Sequence, residues 1–199
     1  MQSELLSLGI DTSNYKTSVA VVDCSGKVLF NHQEYLEVKK GERGLRQSEA
    51  FFQHVQKLPD AIQKALSDFA IRENIGAVSF STRPRPIEGS YMAGAGYGKA
   101  IAAAMGVPYY EYSHQEGHIE AIRFYSSLKH VNPLICFHFS GGTTEALLVD
   151  DDRGIFEIVG GSKDIAYGQV LDRVHWGWIF LAGKRWIRWR CAPSVTAIF

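Results

Sequence analysis

The chain has 199 residues, 46% of them hydrophobic, and its 21 basic and 21 acidic residues give a formal net charge of zero. That length supports one large domain or two small ones, and the neutral balance excludes a whole-chain basic footprint for nucleic acid, so local patches or partner subunits must hold any RNA. Cys24, Cys136 and Cys191 form no CxxC pair, which excludes a zinc ribbon or a disulfide framework. With no signal-peptide opening and no apolar run long enough to span a bilayer, a cytoplasmic protein with reduced thiols and no membrane partner is expected.

Residues 5–10 read as a buried strand, 17–22 as a second and 27–32 as a third, the last two joined by a turn at Cys24-Ser25-Gly26. Phe51, Phe52, Val55, Leu58, Ile62, Leu66 and Phe69 recur at three- and four-residue steps, which predicts a long helix that Pro59 splits or kinks. Residues 77–81 return to strand. Residues 91–105, rich in Ala and Gly, predict a helix packed closely on a sheet, and 107–112 the next strand. Ser113 is a good N-cap for a helix that begins with His114-Gln115-Glu116-Gly117-His118. Residues 134–139 form a strand again.

There the chain repeats itself. Leu8-Gly9-Ile10-Asp11-Thr12-Ser13, then Thr17 to Asp23, is strand, small-polar turn, strand ending in Asp. Phe137-His138-Phe139-Ser140-Gly141-Gly142, then Thr144 to Asp150, has the same form. Internal duplication is an architectural signal. A doubled β-β-β-α-β-α-β unit builds the actin-like ATPase (sugar kinase/Hsp70-like) fold. The expected architecture is therefore α/β, with a complete RNase H-like first lobe at 1–132 and a truncated second lobe beginning at 133–174.

On a helix, His114 and His118 lie on one face about a turn apart, where their imidazoles can converge on Zn²⁺ or Fe²⁺. A pair of ordinary surface or core histidines has the same spacing. The spacing is not HExxH, because no Glu adjoins the first His. Ser140-Gly141-Gly142 follows a strand, so its amides can form an anion nest, or simply a hairpin turn. Asp11 can hold a cation or a water near phosphate, or bond within its own turn. Asp164 and Asp172 flank Gly168 in a segment expected to be helical. They can bind a ribose or be merely solvated.

Together these pieces resemble the tRNA threonylcarbamoyladenosine synthase family, also known as the glycoprotease or O-sialoglycoprotein endopeptidase family. The family's Gly-Ile-Glu-Thr-Ser start appears as Gly9-Ile10-Asp11-Thr12-Ser13. Its His-x-Glu-Gly-His motif is intact at His114 to His118, and Ser-Gly-Gly-x-Thr at Ser140 to Thr144. Its Asp-x-Ala-x-Gly-x-x-x-Asp pattern runs from Asp164 to Asp172. The resemblance implies a divalent metal, Fe or Zn, on His114 and His118. It implies contact of His138, Phe139, Ser140, Gly141 and Gly142, and less directly Thr143, with threonylcarbamoyl-adenylate, and of Asp172 with its nucleoside. It further implies transfer of the threonylcarbamoyl group to adenosine in tRNA, with protein partners of the modification complex, and a third protein metal ligand, an Asp, from the far lobe. Two departures stand out. Asn14-Tyr15-Lys16 replaces a Cys and two acids, and Arg83-Pro84-Arg85-Pro86 replaces a Gly-Pro-Gly loop, so Arg83 and Arg85 can meet phosphate instead.

From His175 onward the chain changes character: all four tryptophans fall there and no acid follows Asp172. Read two bases on, a Trp codon becomes the end of an aliphatic codon. With permitted codon choices the segment 175–190 then reads Leu-Gly-Leu-Asp-Phe-Pro-Cys-Gly-Lys-Glu-Met-Asp-Lys-Met-Ala-Leu, which resembles the family's continuation. The expectation is a frameshifted tail at 175–199 and a chain that does not modify tRNA alone. The rival for the tail is a genuine Trp/Arg segment that binds RNA or membrane. For the whole chain the alternatives are a non-catalytic actin-like scaffold or partner of a related enzyme, favoured by the lost acids, and a metalloendopeptidase, which lacks the expected base placement.

Overall fold

A computed structural model describes residues 5–13, 15–38, 45–83, 89–139, 143–153, 155–171 and 173–174. Its described residues divide into two compact units, one up to Glu120 and one from Ala121.

The first unit is built on a five-stranded sheet of order β3-β2-β1-β4-β5. Its strands are β1 (Leu6–Asp11), β2 (Lys16–Asp23), β3 (Val28–Tyr35), β4 (Ile75–Arg83) and β5 (Tyr109–Ser113). β1, β2 and β3 are antiparallel neighbours, while β4 and β5 add in parallel beyond β1. The β2–β3 turn lies at the expected place. The Asp23 carboxylate accepts from the amides of Ser25 and Lys27, each at 2.9 Å, and Gly26 takes a φ of +84° that side-chain-bearing residues rarely adopt.

Period-two alternation sorts the two faces of this sheet. Leu8 pairs with Val21 and Val78, and Ile10 with Val19 and Phe80; all six are buried on one face. That face packs under α1 (Gln47–Ala65) through Leu58, Ala61, Ile62 and Ala65, and under α3 (Gly89–Met105) through Ala93 and Ala102. The close helix-on-sheet packing expected from the Gly/Ala content is present. A Cβ on Gly98 would sit 2.3 Å from Phe80 Cδ1, and one on Gly94 2.9 Å from Thr12 Oγ1.

Pro59 does not split the helix. α1 runs unbroken through it, and the break falls later, before α2 (Phe69–Asn74), whose N-cap Asp68 accepts from the Ala70 amide at 2.8 Å. Proline removes the donor that Val55's carbonyl would meet one turn back. The Tyr97 hydroxyl donates to that carbonyl at 3.4 Å, which helps explain why the helix tolerates the proline.

α4 (His114–Phe124) follows β5 directly. In the second unit, β6 (Leu134–Phe139), β7 (Thr144–Asp150) and β8 (Ile155–Gly161) form an antiparallel meander. Cys136, Leu147 and Val149 are buried there. Arg123, almost wholly buried, donates to both Asp151 oxygens, at 3.2 and 2.6 Å. No helix among the described residues is long and apolar enough to cross a membrane.

Candidate metal centre

The alternation that buries Leu8 and Ile10 leaves Gly9 and Asp11 on the other face of β1. Beside them stand Ser18 and Ala20 of β2 and Ser79 and Ser81 of β4. These small residues floor a cleft of about 550 Å³, walled by Tyr112 and by His114, Gly117 and His118 of α4. A one-residue slip of register would exchange this floor with the core.

The start of α4 is fixed by a reciprocal cap. Ser113 Oγ accepts from the Glu116 amide at 3.0 Å, and the Glu116 carboxylate accepts from the Ser113 amide. This Ser-x-x-Glu pair satisfies two amides that a helix start otherwise leaves open. Glu116 thus serves the helix terminus. One turn apart on the capped helix, His114 and His118 bring their Nε2 atoms to 2.8 Å, with ring planes at 79°.

The Asp11-Thr12-Ser13 segment divides its work by alternation. Thr12, fully buried, turns to α3: its hydroxyl donates to the Ser90 carbonyl at 2.6 Å and accepts from the Gly94 amide at 3.1 Å. Asp11 and Ser13 turn to the cleft. Asp11 Oδ2 lies 3.1 Å from His114 Nδ1, and Ser13 Oγ lies 2.7 Å from the same nitrogen. Asp11 Oδ1 accepts from the Ser81 hydroxyl at 2.5 Å and from the Ser13 amide at 2.9 Å. Asp11 therefore bonds within its own turn and reaches the histidine pair as well. Burial acts to raise its pKa, but the hydrogen bond and charge of His114, with the Ser81 and Ser13 bonds, outweigh it. The carboxyl is held well below the usual carboxylate range.

The donor set fits a nitrogen-seeking divalent ion. An ion held tetrahedrally at roughly 2.0–2.1 Å by two imidazoles keeps their nitrogens about 3.3 Å apart, and the observed 2.8 Å separation is close to that. Zn²⁺ and Fe²⁺ both accept such ligands. Asp11 is not a third ligand, because it occupies the other ring nitrogen of His114. Among the described residues no group of three His, Cys, Asp or Glu side chains is arranged to hold a metal.

The second unit holds the remaining candidates. His138, buried on β6, lies opposite Glu145 on β7, with its Nδ1 3.9 Å from Glu145 Oε2 and 3.2 Å from Thr143 Oγ1. Phe139 pairs with Thr144 across the strands and packs on Tyr167, ring centroids 5.4 Å apart. Asp164 is exposed and sits in a bend, ahead of the helical residues that begin at Tyr167, and so not in the helix expected for it. Ser140, Gly141, Gly142 and Asp172 lie outside the described residues, as do Asn14, Pro84, Arg85, Pro86 and the tail from His175.

Sequence reasoning missed Ser81 and gave Ser13 no role at the site. The signal for Ser81 was the alternation Val78-Ser79-Phe80-Ser81, which places two serines on the face opposite the core. For Ser13 it was the two-residue spacing from Asp11, in the bend just past the end of β1.

Comparison with known proteins bears on the family and the fold. A family model described as TsaD, tRNA N6-adenosine threonylcarbamoyltransferase, matches residues 27–176. The protein of that name from Enterococcus faecalis is 33% identical over 172 residues, 85% of this chain and 48% of its own length. Its counterpart from Caldicellulosiruptor saccharolyticus is also 33% identical, over 85% of this chain and 50% of its own. The chain thus spans about half the length of the curated relatives it matches. Among solved structures, a ROK family transcriptional regulator homologous to the E. coli MLC protein aligns with a TM-score of 0.55 at 13% identity, covering 92% of this chain and 51% of that one. A Pseudomonas aeruginosa protein described as similar to peptidase YEAZ aligns at 0.50 and 17% identity, covering 78% and 64%. These likenesses speak for the fold, which is the expected actin-like α/β architecture. On its sequence, the chain belongs to the tRNA N6-adenosine threonylcarbamoyltransferase family.

Proposed function

We propose that this chain carries the metal-binding half of a tRNA threonylcarbamoyltransferase, an acyltransferase that acts on cytoplasmic tRNA. The observation that supports the reading most is the His114–His118 pair, Nε2 to Nε2 at 2.8 Å, within the family match. His114 and His118 would hold a divalent ion, Fe or Zn, which would supply Lewis-acid polarisation at the acyl carbonyl of threonylcarbamoyl-adenylate. His138 and Phe139, with Ser140, Gly141, Gly142 and Thr143, contact the adenylate, where backbone amides at the glycines suit a departing phosphate charge. Asp172 holds the nucleoside, and Asp164 lies at the edge of that role. The acceptor is an adenosine of tRNA, delivered with protein partners of the modification complex.

Among the described residues, two histidines give a catalytic metal one protein ligand fewer than such sites usually have. Residues 1–199 alone therefore do not complete the transfer. The test is formation of N6-threonylcarbamoyladenosine on tRNA, read by mass spectrometry, with the adenylate as donor. The purified chain is compared with the product of the gene read in the shifted frame after Asp172. Activity confined to the second, and lost from it on His114→Ala, supports the reading; equal turnover by both refutes it.

A non-catalytic scaffold is the second reading. One observation favours it: Lys16, in place of an acid, donates at 3.2 Å to Gln33, a residue that lines the cleft. Inactivity of the frame-restored protein with intact metal binding would select it.

A further inference from the structure

We infer that Asp11 is a positioning residue that fixes the tautomer and the orientation of His114, so that the imidazole presents Nε2 to the metal shared with His118. The inference rests on the metal reading above for its Zn²⁺ arm only.

The two nitrogens of His114 have different neighbours. Nδ1 faces Asp11 Oδ2 at 3.1 Å and Ser13 Oγ at 2.7 Å, while Nε2 faces His118 Nε2 at 2.8 Å. An ionised carboxylate only accepts, so the nitrogen beside it must carry the hydrogen. A neutral imidazole protonated at Nδ1 has its lone pair at Nε2, the atom a metal needs. The Ser13 hydroxyl can donate or accept, so it accommodates this state as a second acceptor from Nδ1 and leaves the choice of tautomer to the carboxylate.

The carboxylate is itself held. Its other oxygen takes the Ser81 hydroxyl at 2.5 Å and the Ser13 amide at 2.9 Å, so the ends of β1 and β4 both fix its plane. An amide at this position cannot satisfy the same neighbours. If its oxygen keeps the Ser81 and Ser13 donors, its NH₂ faces His114 Nδ1 and drives the hydrogen to Nε2. A carboxylate-to-amide change of this kind leaves geometry intact and inverts the tautomer. Acidic partners behind metal-bound histidines typically contribute 10–100-fold to metal affinity.

The test uses the full chain and two measurements. The first is ¹⁵N NMR of the imidazole nitrogens, comparing the parent with Asp11→Asn. His54, whose Nδ1 lies 2.8 Å from Thr17 Oγ1 in the core, is the internal control. The expected result is an Nδ1–H tautomer for His114 in the parent, an Nε2–H tautomer in Asp11→Asn, and no change at His54. The second is titration with Zn²⁺ alone against a competing chelator, where Asp11→Asn should bind about 10–100-fold more weakly and Asp11→Glu should recover most of the loss. A His114 tautomer unchanged by Asp11→Asn overturns the inference, whatever the metal does. Measurable and equal Zn²⁺ affinity of parent and Asp11→Asn also overturns it. A parent that binds no Zn²⁺ but shows the tautomer switch supports the role of Asp11 and overturns the metal reading instead.

Discussion

Gly98→Ala and Gly96→Ala, two residues apart on α3, should differ in stability by the cost of a clash that only the first creates. Both replacements gain the same intrinsic helix propensity, about 1 kcal/mol. Gly96 is exposed, and a Cβ there meets nothing within 4 Å. At Gly98 the new carbon would lie 2.3 Å from Phe80 Cδ1, 2.8 Å from Cε1 and 3.0 Å from Cγ. Carbon atoms prefer about 3.5–4.0 Å, so helix and strand must part by more than about 1 Å. Phe80 has little freedom to yield, being buried and stacked on Tyr109 with ring centroids 5.6 Å apart. Overpacking of a tight core costs about 1–3 kcal/mol. The propensity gain cancels in the difference between the two variants, so Gly98→Ala should be less stable than Gly96→Ala by that amount. The assay is urea unfolding followed by far-UV circular dichroism. Phe80 precedes Ser81, so a displaced β4 should also loosen Asp11 and weaken Zn²⁺ binding in Gly98→Ala alone. Equal midpoints for the two variants would refute the argument that close approach of α3 to β4 requires glycine.

Thr12→Val keeps the shape but removes both bonds to α3, and should cost about 1–3 kcal/mol in the same assay. Glu116→Ala opens the cap of α4 and should destabilise by about 1 kcal/mol, with a weaker Zn²⁺ affinity read by chelator competition. The Arg123 hydrogen bond, working against a smaller effect of burial, holds the Asp151 carboxyl below its ordinary value. A depressed folded pKa contributes stability that is present above the unfolded value near 3.9 and is lost as pH falls toward the folded one. Asp151→Asn should therefore lower stability at neutral pH and flatten its decline below about pH 4, in denaturant midpoints measured across pH. Sequencing the gene through the codons for Asp172 to Phe199 should show one indel after which the other frame reads the aliphatic continuation; an uninterrupted frame conserved in independent isolates would favour a genuine tail.

Much of this arrangement was legible because period and punctuation agree with the fold. The β1 and β2 hydrophobics, the turn at Gly26 and the Ser113 cap are local signals, and tertiary packing reinforces them. The i, i+4 histidines were readable for the same reason: a helix alone brings them together. Asp11 was readable as a candidate but not as a partner of His114, since 103 residues separate them and only strand order joins them. Pro59 misled as to a split of the helix, and Tyr97, 38 residues on in a different helix, donates to the freed carbonyl. Asp164 misled because its spacing to Gly168 fits a helix, yet the helical residues begin only at Tyr167.

The most direct measurement of the central claim is X-ray absorption at the zinc edge of the Zn²⁺-loaded chain. Two imidazoles are expected in the first shell at about 2.0–2.1 Å, with one lost on His114→Ala and one on His118→Ala. A first shell of water alone, or an imidazole count untouched by either substitution, would contradict it.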